Sequence, residues 1–137
     1  DKNDIADLLE VKHKELINWV MEQPLENWEK GPEGKWSTGQ HIQHLVNSLQ
    51  LLNNALSYPR FFLKYKFGTC NRETRNYETV AKNYQQKLLE NKEKAKLFNK
   101  GLKKPTLTER KRLLTRFQIQ QKKLQYKRVY YYQIQNL

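Results

Sequence analysis

Three histidines and one cysteine are the residues of this chain best suited to chemistry. His41 and His44 stand three apart in a helical pattern, so they occupy adjacent parts of one helix face. Two imidazoles at that spacing could share a divalent ion, but a functional site needs a third ligand. His13 falls close to the apolar stripe Leu9, Leu16 and Val20, the setting of a buried or edge histidine with a backbone partner. Cys70 sits beside Asn71 and Arg72. A neighbouring cation lowers a thiol pKa, yet no motif places a base beside it. There is no phosphate-binding glycine loop and no paired C-x-x-C. The run Tyr130-Tyr131-Tyr132 lies near Lys122, Lys123, Lys127 and Arg128. Three consecutive aromatics on a helix point three ways, so at least one is exposed or meets a partner. Such a surface could stack on bases and hold phosphates. It also suits bundle packing and a dimer contact, where Tyr and Arg are favoured.

The elements that must position these residues read as helices. Ile5, Leu8, Leu9, Leu16, Ile17 and Val20 repeat at three-four spacing and predict a first helix over 3–23, ended by Pro24. Residues 24–36 read as a loop, with Trp28 over the mouth of the bundle. Ser37 and Gln40 form an S-x-x-Q capping box, and Ile42, Leu45, Val46, Leu49, Leu52 and Leu56 carry a second helix to Pro59. Trp36 is expected to be substantially buried where that helix begins. Residues 58–76 are rich in aromatics and read as an irregular lid. A helical segment over 77–98 puts Tyr77, Val80, Ala81, Tyr84 and Leu88 on one face. Thr106 and Glu109 make another capping box, followed by the stripe Leu113, Leu114, Phe117 and Leu124. From Leu124 to Tyr126 the phase jumps by about 200° at 100° per residue. A straight helix cannot bury both stripes on one side, so a break near 124–126 is expected.

The stretch Gly34-Lys35-Trp36-Ser37-Thr38-Gly39-Gln40-His41-Ile42-Gln43-His44-Leu45 resembles the helix-2 signature of the DinB-like superfamily. A second similarity follows in Phe67-Gly68-Thr69-Cys70-Asn71-Arg72, then Tyr77-Glu78-Thr79-Val80, Tyr84 and Lys87-Leu88. A weaker one lies at Gln133-Ile134. The resemblance implies an all-α, up-down four-helix bundle, here with an additional short helix and a long aromatic loop. It also implies a divalent metal on three histidines, one from helix 2 and an H-x-x-x-H pair from the last helix. Thiol S-transferases and hydrolases are among the activities of such bundles. His44 takes the helix-2 position. Counting back from Gln133-Ile134, the paired positions fall on Tyr126 and Tyr130. A phenol loses its proton only near pH 10 and is a poor ligand for Zn²⁺ or Ni²⁺. The expectation is therefore a degenerate site with no cofactor, or at most one divalent Zn or Ni ion. Tyr126 and Tyr130 would turn toward His44, with His41 and Trp36 in the pocket wall.

Composition sets the remaining bounds. A chain of 137 residues reads as one domain, residues 1–137, long enough for a core. No apolar run approaches the roughly 18 residues of a membrane span. With no apolar leader and one cysteine, the expected location is the cytoplasm. The net charge is +12 and lopsided: residues 1–34 hold nine acidic and four basic groups, while basic residues dominate the rest. The reading is a DinB-like bundle that binds an unknown small molecule or protein partner, with a homodimer also open. One alternative is a metal-dependent hydrolase or thiol S-transferase using His44. A second is a basic helical nucleic-acid binder.

Overall fold

The computed structural model describes the backbone of residues 2–68, 75–94 and 102–135, and the side chains of 4–59, 61–68, 75–94 and 102–127. As the periodicity predicts, the described residues are helical, with no strand among them. Helix α1 spans Lys2–Glu22, and a 3-10 turn spans Leu25–Trp28. Helix α2 spans Thr38–Ala55, α3 Arg60–Phe67 and α4 Tyr77–Glu90. A second 3-10 turn, Leu107–Glu109, leads into α5, Arg110–Gln135. The chain forms two compact units, Asp1–Tyr58 with Lys103–Leu137, and Pro59–Leu102.

In the first unit α5 lies against both α1 and α2. Its register on each is fixed by cross-helix hydrogen bonds. Arg116 Nη2 donates to Gln50 Oε1 at 3.2 Å, Asn53 Nδ2 to the Gln120 carbonyl at 2.8 Å, and Lys127 Nζ to the Asn53 carbonyl at 2.6 Å. The numbers rise together, so α2 and α5 run parallel. Along α1 they run in opposite directions: Arg110 reaches the Val20 carbonyl, Lys122 reaches Glu10, and Gln125 reaches the Ala6 carbonyl. Helix α5 is therefore antiparallel to α1 and parallel to α2. Pro59–Leu102 intervenes between α2 and α5, so α5 is not bound to reverse the direction of α2.

Val20, Trp28, Ile42, Val46, Leu113 and Phe117 form the core, flanked by Leu16, Ile17, Leu45, Leu49 and Leu114. The capping box at the start of α2 forms as read. Ser37 Oγ accepts from the Gln40 N–H at 3.2 Å, and Gln40 Oε1 accepts from the Ser37 N–H at 3.0 Å. Trp36 is part-buried beside it, and Trp28 lies deeper, 2% exposed. The loop explains the difference. Trp28 closes a short 3-10 turn and turns its indole inward, where Nε1 donates to the Thr106 carbonyl at 3.0 Å. Gly39 makes room for it: a Cβ there would stand 2.6 Å from the Trp28 carbonyl oxygen and 2.9 Å from Pro105 Cγ.

At the entrance to α5, Glu109 Oε2 accepts from the Thr106 N–H at 3.0 Å. Lys103, through its hydrogen bond, and the Thr106 N–H hold the Glu109 carboxyl down at about 2. The break expected near 124–126 is absent, and α5 continues to Gln135. No glycine or proline interrupts it, and its Gln, Lys, Arg and Leu are good helix formers. The phase jump is met by polar residues. Gln121 is buried and Gln125 bonds to α1, so Tyr126 falls on the outer face.

In the second unit, the stretch read as irregular contains α3. Arg60-Phe61-Phe62-Leu63-Lys64-Tyr65-Lys66-Phe67 holds no breaker, and Gly68, at φ +76°, ends the helix. Asn76 caps α4 by accepting from the Thr79 N–H at 2.9 Å. The expected face of α4 forms, but none of its side chains is buried.

Replacing Trp28 by Ala should cost about 3–5 kcal/mol in a urea melt, as for a large buried aromatic. Gly39→Ala should cost about 1–3 kcal/mol by overpacking against backbone. Parent-like melting of Trp28→Ala would refute this packing.

Candidate functional site

The loop that delivers Trp28 also positions Trp36. Gly31 passes so close that a Cβ there would lie 2.5 Å from the Trp36 carbonyl carbon. The Trp36 indole is thereby set over the first turns of α2. His41 meets it edge-on with centroids 5.2 Å apart at 67°, and His44 meets it at 5.2 Å and 48°. These are ordinary aromatic-pair distances. A shallow cleft of about 410 Å³ opens beside them, walled by Trp19, Trp36, Thr38 and His41 among others. His41 and Trp36 line one cleft, and His44 joins them through the indole.

Among the described residues, the donors around His44 fall short of a metal site: no three of His, Cys, Asp and Glu stand together where an ion could be held. Two imidazoles against one indole fall short of the three protein ligands that a catalytic Zn²⁺ site uses. Tyr126, expected to turn toward His44, stands 73% exposed on the outer face of α5. The uninterrupted helix puts it there, because the expected inward turn depended on a break. The Tyr130 side chain and Cys70 lie outside the described residues.

His13 lies where its stripe placed it, against Phe117 with centroids 4.7 Å apart. Nδ1 is buried, and the backbone partner expected for it is not found there among the described residues. Burial, and then the nearby Lys122 charge, push the His13 pKa below its ordinary value of 6.5.

Two features escaped the sequence reading. One is polar burial: Asn53 and Gln121 are each 3% exposed, and both amide atoms of Gln121 lack partners among the described residues. A glutamine amid lysines carries no signal of burial. The other is a groove of about 670 Å³ between α1 and α5, with Ile17, Met21, Leu25 and Leu114 among its apolar walls and Lys14, Arg110 and Lys111 among its cations. Its one legible trace is apolar Met21 and Leu25 on either side of the helix-ending Pro24.

No protein-family model, curated protein or solved structure matches this chain. The likeness to DinB-like bundles thus rests on the motif residues themselves.

A histidine whose protonation is disfavoured in the fold binds its proton more readily when unfolded. Its contribution is intact above pH 6.5 and is lost as pH falls below that value. The urea midpoint of the parent should fall between pH 7.5 and pH 5, and His13→Leu should flatten that slope. Equal slopes in the two proteins would show that His13 titrates normally.

Proposed function

We propose that this chain is a divergent DinB-like helical bundle that has given up metal chemistry and works by binding a ligand or partner. Helices α1, α2 and α5 supply three of the four bundle helices. The parallel course of α2 and α5 supports that reading, since second and fourth helices of an up-down bundle run the same way. The observation that carries the functional reading is where the resemblance's metal positions fall. His44 packs on Trp36, Tyr126 faces outward, and the third position is another phenol, Tyr130.

In place of a catalytic cluster, the first unit offers an apolar groove rimmed by cations. Concave, largely apolar surfaces with a few polar groups are the usual form of small-molecule sites. The nucleic-acid alternative has less support. On the basic outer part of α5, Lys122 is paired with Glu10, and Lys127 is turned to Asn53 and Ser57.

Dialysis against Zn²⁺ or Ni²⁺, removal of free ion and elemental analysis test the reading. The expected result is well under one equivalent of metal per chain, unchanged in His44→Ala. A stoichiometric ion that disappears in His44→Ala would contradict it and favour a hydrolase or S-transferase.

A further inference from the structure

We propose that the groove between α1 and α5 binds an amphipathic monocarboxylate, a linear apolar chain ending in one carboxyl group. The proposal rests on the reading of this protein as a binder and names the site and ligand class.

The groove has room for such a molecule. Its volume is about 670 Å³, within the range of small-ligand pockets. From Lys14 to Met21 the wall rises about 10 Å along α1, and Leu25 and Leu107 extend it beyond the helix end. Met21 and Leu25 are 59% and 56% exposed, and Leu107 is 41% exposed. Together with Ile17 and Leu114 they form one continuous apolar surface rather than scattered apolar residues. Covering it gains roughly 25 cal/mol per Å² of apolar area.

The charge pattern selects the head group. Lys14, Arg110 and Lys111 line the groove, and among the described residues no Asp or Glu does. Two of these cations already have contacts. Lys14 pairs with Glu10 at 3.1 Å. Arg110 donates to the Val20 carbonyl and Met21 Sδ, with its guanidinium 5.7 Å from the Trp28 ring centroid. Lys111 has no ion pair among the described residues and remains to answer a single negative charge. One unpaired cation beside an apolar wall matches a monoanion with an apolar tail. An alcohol would leave the Lys111 charge unanswered, and an alkylammonium would add like charge. Toward the Lys14 end, Gln118 offers hydrogen bonds without charge.

Isothermal titration calorimetry with decanoate, decan-1-ol and decyltrimethylammonium, each below its aggregation concentration, tests this. Decanoate should bind saturably, one per chain, with decanol at least about tenfold weaker and the ammonium silent. Lys111→Gln should weaken decanoate by about tenfold, the loss of one charge-assisted hydrogen bond. Met21→Asp should abolish binding. Both residues are exposed, so both variants should melt like the parent, and that melt is the control for folding. Equal binding of all three probes, no binding of decanoate, or parent-like binding by both variants overturns the proposal. So does an acidic amphipathic peptide that binds this groove and resists displacement by decanoate. The metal measurement stands apart. Failure of decanoate without His44-dependent metal overturns the ligand class alone, whereas His44-dependent metal overturns the binder reading whatever decanoate does.

Discussion

The first unit depends on how Trp28 is seated. Its indole lies beside Gly39 at the start of α2, donates to the Thr106 carbonyl before α5, and has the Arg110 guanidinium near its ring. One side chain thereby joins the loop after α1, the entrance to α2 and the entrance to α5. Glu29 adds a second tie by accepting from the Leu107 N–H at 2.5 Å. The parallel course of α2 and α5 follows, because both helices start from the same anchored point. The α1–α5 groove follows as well, since Arg110 stands between the Trp28 ring and the end of α1.

Farther along α5 the packing changes character. Leu113 and Phe117 meet the apolar core, but the next inward positions include Gln120, Gln121, Gln125 and Lys127. Asn53 answers Gln120 through both its carbonyl and its side chain. Lys127 caps the end of α2 by donating to the Asn53 carbonyl and to Ser57. Buried polar groups without partners cost free energy, and among the described residues both amide atoms of Gln121 in this half find none. The first unit is therefore tightly specified at the Trp28 end and loosely specified at the other.

Much of this was legible in the sequence, for local reasons. The capping box at Ser37 and Gln40 and the apolar stripes of α1 and α2 follow from residue spacing within one or two turns. What depended on distant residues was not legible. Trp28 became the most deeply buried tryptophan because Gly39 and Pro105 come together across the fold. The phase jump after Leu124 suggested a break, since apolar periodicity assumes that only apolar residues face inward. Gln121 and Gln125 face inward instead, and the helix runs on. That one difference moved Tyr126 from the expected pocket to the outer face. His41, His44 and Trp36 lie near one another because they share a capped helix start, but spacing alone said nothing of the indole between the two rings.

The central claim, that the Trp28 indole ties the start of α2 to the start of α5, is tested most directly by hydrogen exchange of the three indole N–H groups. Nitrogen-15 spectra, with the Trp28 signal assigned through Trp28→Phe, would follow each one. The account predicts that the Trp28 N–H, bonded to the Thr106 carbonyl, is the slowest of the three and exchanges only when the first unit unfolds. Exchange as fast as that of half-exposed Trp19 would contradict it.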